Sequence, residues 1–183
     1  MRRYASGITA ALVVTALAAV PSAQKTTQLH PGKGGSPHVR TEWTIDGAHI
    51  RIEYGRPSLK GRKLGSDVAP YGKVWRTGAD EATTITSDKP LKFGSLTVPA
   101  GTHTIYTLPN EKEWQLIIGK LQKPGQWGIP YPEGQDIGRV PMKVSQTSSP
   151  VEQLTISIDD TAAGGTLRIE WGTVSATAPF TVG

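Results

Sequence analysis

Residues 39–54 read V-R-T-E-W-T-I-D-G-A-H-I-R-I-E-Y. Val39, Thr41, Trp43 and Ile45 alternate with Arg40, Glu42 and Thr44, and after Asp46-Gly47 the residues Ala48, Ile50, Ile52 and Tyr54 alternate with His49, Arg51 and Glu53. A period of two is that of a strand with one apolar face and one wet face. Asp-Gly between two such runs is a hairpin turn, because both turn positions take positive φ. The chain therefore opens its folded part on an antiparallel hairpin.

The same pattern recurs outward from that hairpin. Residues 73–77, 82–86 and 95–98 are short strand candidates. Residues 102–108 and 114–118 form a second expected hairpin. Val140, Met142 and Val144 alternate, as do Leu154, Ile156 and Ile158, and then Leu167, Ile169 and Trp171. Val174, Ala176, Ala178, Phe180 and Val182 close the chain on one face, with Pro179 marking an edge or bent strand. No segment after the N-terminal leader carries a period of 3.6. Frequent short strands with 21 glycines and 14 prolines for turns predict an all-β fold: one antiparallel β-sandwich domain of about nine to ten strands over residues 38–183. Two connections are long, residues 55–72 and 120–136, and connections of that length are often functional.

Before the domain, Arg2 and Arg3 precede an uncharged apolar run over residues 7–20, closed by Pro21, Ser22 and Ala23. This is the pattern of a secretory signal peptide, expected over residues 1–23, and the run is too short to span a bilayer. Residues 24–37, rich in Gly, Pro, Ser and Thr, read as a flexible tether. The expected destination is the periplasm or the extracellular space, with no membrane span after cleavage. The chain has no cysteine, so it has no disulfide, no thiol nucleophile and no thiolate metal ligand. Its net charge of +5 includes Arg2 and Arg3. The remaining mild excess is too sparse for a nucleic-acid surface and favours small anionic partners.

The richest chemistry lies in residues 54–84, Y-G-R-P-S-L-K-G-R-K-L-G-S-D-V-A-P-Y-G-K-V-W-R-T-G-A-D-E-A-T-T. Arg56, Arg62 and Arg76 offer planar forks of donors suited to carboxylate, phosphate or sulfate. The other reading of the same arginines is an internal ion-pair set with Asp67, Asp80 and Glu81 that pins the loop. Tyr71 and Trp75 offer flat apolar walls beside them, extended by Tyr54, Trp127 and Tyr131, although strand aromatics such as Tyr54 and Trp75 also suit a core. Asp80 and Glu81 are adjacent: in extended chain they face opposite ways and do not form an acid/base pair on one bond, whereas in a turn, where Asp80 after Gly78-Ala79 suits, they could converge. His103 follows a Gly turn from which it could approach this loop. The histidines after the leader, His30, His38, His49 and His103, have no zinc-motif spacing, so no metal and no cofactor is expected. No nucleophile elbow, phosphate loop or dinucleotide fingerprint is present.

The pieces Y-G-R-P-S-L-K-G-R at residues 54–62, P-Y-G-K-V-W-R-T-G-A at 70–79 and E-A-T-T-I at 81–85 resemble the signature of domain-of-unknown-function family 2911, a set of mainly secreted bacterial proteins. P-A-G-T-H-T from Pro99, E-K-E-W from Glu111, W-G at Trp127 and W-G-T at Trp171 add to the resemblance, which runs from about His38 to the C-terminus. Two departures stand out. Asp80 occupies a position where Asn is usual, adding a negative charge, and Leu64-Gly65 replaces a bulkier Ile-Phe pair. The resemblance implies a secreted β-rich domain without a known activity, and it carries no catalytic residue.

These observations favour a non-enzymatic binding module for a small polar or anionic ligand, a saccharide or a carboxylate. Its site residues are Arg56, Arg62, Tyr71, Trp75, Arg76, Asp80, Glu81 and His103. One alternative is a hydrolase or isomerase with Glu81 or His103 as general base. Another is a purely structural envelope domain. Catalytic residues and oligomeric state are left open at this level.

Overall fold

The computed structural model describes residues 24–183, so the expected signal peptide lies outside the described residues. The opening hairpin forms as β2 (His38–Ile45) and β3 (Ala48–Gly55), turning at Asp46 and Gly47, whose φ values are 46° and 73°. Ile45, Ile50 and Ile52 on its inner face are fully buried. β4 (Thr84–Ser87), β7 (Gly101–Leu108) and β8 (Glu113–Lys120) extend the sheet beyond β3. Two long strands, β9 (Asp136–Thr161) and β10 (Gly164–Val182), follow, and the short β5 (Leu91–Phe93) and β6 (Leu96–Val98) end it. β1 (Lys25–His30) lies at the other end. The order is β1-β2-β3-β4-β7-β8-β9-β10-β5-β6, antiparallel throughout and not closed.

Three details depart from the sequence reading. Residues 25–30, expected as part of a tether, pair with β2 as a fully exposed edge strand. Backbone pairing stabilises them although no side chain is buried, and composition does not reveal such pairing. Residues 73–77 form no strand; Trp75 alone bridges to Thr107. β5 was absent from the reading because its Leu91 and Phe93 make too short an alternation to stand out.

The sandwich arises because one sheet folds over on itself. The first part of β9 pairs with β8 and with the second half of β10, whereas residues 151–161 have β10 as strand partner and a single bridge from Gln153 to Ser58 among the described residues. Register shifts between Glu170 and Gly172 and between Gly172 and Val174, with Gly172 at φ 61°, mark the bend. Bulges of this kind turn a strand and re-aim its side chains. Beyond the bend, Leu154, Ile156, Leu167, Ile169 and Trp171 pack into the same core as Trp43, Ile50, Ile52, Trp114 and Ile118.

Folding over exposes a problem. The distal edge of β9 has lost β8 as a partner, and its backbone groups need others. Residues 54–60 supply them. Ile156 N–H donates to the Tyr54 hydroxyl (2.9 Å), Leu154 N–H to Pro57 O (2.9 Å), and Leu59 N–H to Glu152 O (2.9 Å). Arg56 Nε donates to Leu154 O (3.0 Å) and its terminal nitrogen to Thr155 Oγ1 (3.0 Å). The start of the signature loop thus acts as a surrogate strand.

Tyr54→Phe keeps the ring packing but leaves the buried Ile156 N–H without its acceptor. The expected result in urea denaturation is a loss of about 1–3 kcal/mol with an unchanged m-value.

Candidate functional site

Three segments meet at the site: the turn after β1, the loop from β3 to β4, and the loop from β8 to β9. The β3–β4 loop is held at several points. Tyr71 N–H donates to Gly65 O (3.0 Å), and Gly65 sits at φ 89° with the Tyr71 ring where a side chain would stand. Trp75 and Thr107 exchange backbone bonds of 2.7 and 3.0 Å. The Trp75 ring stacks on Trp171 at 5.5 Å and meets Trp114 edge-on at 6.2 Å. The Thr77 and Thr107 hydroxyls bond at 3.0 Å, and Thr83 Oγ1 donates to Thr77 O (2.9 Å). Residues 80–82 then run against 126–128: Gly128 N–H donates to Asp80 O (2.9 Å) and Ala82 N–H to Gln126 O (2.9 Å). Tyr106 braces this loop by donating to Gly128 O (3.1 Å), and burial raises its hydroxyl pKa.

Between these segments lies a cleft of about 580 Å³, within the size range of small-molecule sites. Lys33, Lys60, Arg62 and Arg76 reach its lining, and Asp80 is the one carboxylate there among the described residues. Trp75, Trp171, Val74 and the exposed Ile129 give it apolar wall. Asp80 Oδ2 accepts from the Lys33 N–H (2.8 Å), so part of its charge is already engaged.

None of the three signature arginines pairs with Asp67, Asp80 or Glu81 among the described residues, which corrects the ion-pair reading. Arg56 serves β9. Arg62 donates to Leu59 O (2.9 Å) and Ser58 O (2.7 Å), curling its own turn. Arg76 donates through Nε to Gly78 O (3.2 Å), and its terminal nitrogens make no bond among the described residues. The carbonyls won because a loop has many unpaired acceptors and its acids are drawn off elsewhere: Asp67, for example, accepts from Lys63 N–H (2.9 Å).

Asp80 and Glu81 sit in a turn rather than in extended chain, and their carboxylates converge on His38 Nε2. Asp80, at φ 61°, lines the cleft, while Glu81 lines a separate cavity of about 200 Å³ with His30, His38 and Glu53. There His38 Nε2 lies 3.0 Å from Glu81 Oε2 and 3.7 Å from Asp80 Oδ2. His30 Nε2 lies 3.9 Å from Glu81 Oε2. His30 and His38 are partners across the β1–β2 ladder, and their rings stack at 4.3 Å. Burial lowers the His38 pKa; the Glu81 charge opposes this, His30 reinforces it, and Asp80 and the Ala79 carbonyl also oppose it. Gly55, opposite His38 in β3, makes room: a Cβ there would stand 2.4 Å from Ala79 O and 2.6 Å from His38 Nε2.

The other expected site residues are distributed differently. His103 Nε2 lies 2.8 Å from Pro99 O on its own turn, and it lines neither cavity. Tyr71 is taken up by Gly65, and Tyr54 is core. Trp127 is exposed, with Lys33 Nζ 5.0 Å from its ring centroid. Tyr131 donates to Asp136 and accepts from Arg139 (3.1 Å), and burial with the Asp136 hydrogen bond pushes its pKa up to about 12. Sequence reasoning missed His30, His38 and Lys33. His30 and Lys33 lie in a segment that composition marks as a tether, and His38, at the start of the domain, has no zinc-motif spacing to another histidine.

Residues 36–180 match the model of a family described as protein of unknown function (DUF2911). No curated protein and no solved structure matches the chain.

The half-buried Arg56 satisfies an otherwise open carbonyl of β9. Arg56→Ala is expected to lower stability by about 1–3 kcal/mol in urea denaturation, the scale of a hydrogen bond from a charged donor. A stability change below about 0.5 kcal/mol would show that the edge does not need this side chain.

Proposed function

The chain belongs to the DUF2911 family, and on that premise we propose that it is a binding module for a small anion-bearing ligand, held in the cleft between Trp75, Arg76 and Lys60. The observation that carries this reading is the imbalance of charge in that cleft. Four cationic side chains meet one carboxylate, which already accepts a backbone hydrogen bond. Unneutralised cations around a concave, partly apolar wall attract carboxylate, phosphate or sulfate, and an Arg with open terminal nitrogens can grip two oxygens of such a group. Trp75, Trp171 and Ile129 provide surface for the ligand's apolar part, as a sugar ring or a short aliphatic acid would offer. The N-terminal leader pattern supports export to the periplasm or beyond, where such a module would meet its ligand. Of the two general bases an enzymatic reading would use, Glu81 or His103, the second has no support, since His103 is bonded to its own turn.

Lys60 is the cleanest probe. Its side chain is exposed and makes no hydrogen bond or ion pair among the described residues, while its backbone N–H is held by Glu152 (2.7 Å). Isothermal titration with inorganic phosphate, a uronic acid and a sulfated disaccharide is expected to find at least one binder whose affinity falls with salt. Lys60→Ala should weaken it by roughly tenfold, the scale of one charge-assisted contact, with no change in melting temperature. Equal binding of the neutral parent sugar, or no effect of Lys60→Ala, would overturn the reading.

A further inference from the structure

Beyond that cleft, we propose that His30, His38 and Glu81 form a binding site for a divalent late transition-metal cation of the zinc type. One ligand atom from each lies within 4.8 Å of the other two. Two imidazoles and one carboxylate are a donor set that zinc accepts with a fourth position open. The nitrogen donors disfavour magnesium and calcium, which prefer oxygen.

The geometry supports a metal over a plain ion pair. His38 Nε2 and Glu81 Oε2 are 3.0 Å apart, yet the angle between them makes no hydrogen bond. Both atoms are buried and have no hydrogen-bond partner. Two such orphaned atoms facing each other are what a missing common partner leaves behind. Ligand atoms at zinc–nitrogen and zinc–oxygen lengths around a tetrahedral ion stand about 3.3 Å apart. Glu81 Oε2 lies 3.0 Å and 3.9 Å from the two imidazoles, on either side of that value, and because the two rings stand nearly parallel at 4.3 Å, sharing an ion requires the exposed His30 ring to turn out of the stack.

Charge points the same way. Glu81 and Asp80 place two carboxylates beside the imidazole pair, and a dication would balance them. Asp80, bonded to the Lys33 N–H, acts from the second layer. Gly32 N–H donates to His30 Nδ1 (3.2 Å), so coordination through Nε2 moves the ring proton to Nδ1 and gives up that exposed contact. The open position faces the cavity of about 200 Å³, bounded by Leu29, Leu121 and Gln126, where a water or a small oxygen ligand fits. His30 stands before the span matched by the family, so the edge strand β1 completes the site.

The test uses metal alone. The chain is dialysed against chelator and titrated with Zn²⁺ by calorimetry and with Co²⁺ by visible absorption. The expected result is one equivalent bound, with the intense d–d bands of a four- or five-coordinate cobalt site. His30→Ala, at an exposed ring on an edge strand, and the near-isosteric Glu81→Gln should each weaken binding by about a hundredfold or more. Lys60→Ala and His103→Ala should leave it unchanged, which separates this site from the anion cleft. Absence of a stoichiometric equivalent, cobalt spectra of octahedral type, or undiminished affinity in His30→Ala with circular dichroism unaltered would overturn the proposal.

Discussion

The structure hinges on the distal edge of β9. β8 pairs with residues 136–143 and ends there, so residues 151–161, beyond the bend at Gly172, have no second strand beside them among the described residues. Their inward side chains gain core burial, and their outward backbone groups are stranded. Tyr54, Arg56, Pro57 and Leu59 resolve this by lending a hydroxyl, a guanidinium, a carbonyl and an N–H. The first leg of the β3–β4 loop is therefore structural, and its path along β9 determines where the remainder of the loop begins.

From there the loop must return to β4, and it does so across the end of β7 and the bend of β10. Trp75 locks onto Thr107 and Trp171, and the peptide then turns through positive φ at Thr77 and Asp80. Asp80 joins three segments: its carboxylate holds Lys33, its carbonyl holds Gly128, and its backbone turns the loop toward β4. The same turn places Asp80 on the lining of one cavity and Glu81 on that of the other, while both carboxylates come within 3.7 Å of His38 Nε2. A cation-lined cleft and a histidine cavity are thus back to back, separated by a single peptide.

The division between legible and illegible features follows range. The hairpin of residues 39–54 was plain, because alternation and an Asp-Gly turn are local signals. The strands β7, β8, β9 and β10 also lay where alternation indicated. The arginines were rightly singled out as unusual, yet their partners were misjudged. Acids nearby in sequence were the natural counter-charges, whereas the acceptors used are carbonyls brought up by β9 and by the loop's own turns. His30 and His38 were passed over because their spacing is not that of a zinc motif, and because the Gly, Pro and Ser around His30 resemble a tether until a pairing partner is known.

By itself the sequence determined the class of the molecule: an all-β chain, with antiparallel strands of known face, belonging to a recognisable family. Those properties depend on period, turn chemistry and a long polar signature, all of which act over a few residues. Tertiary structure alone decided that the sheet bends over itself, that Arg56 guards an edge while Arg76 opens onto a cleft, and that two histidines eight positions apart in sequence stack beside Glu81. These depend on which backbone groups are left without partners when distant strands meet, a question that has no answer until the strands have met.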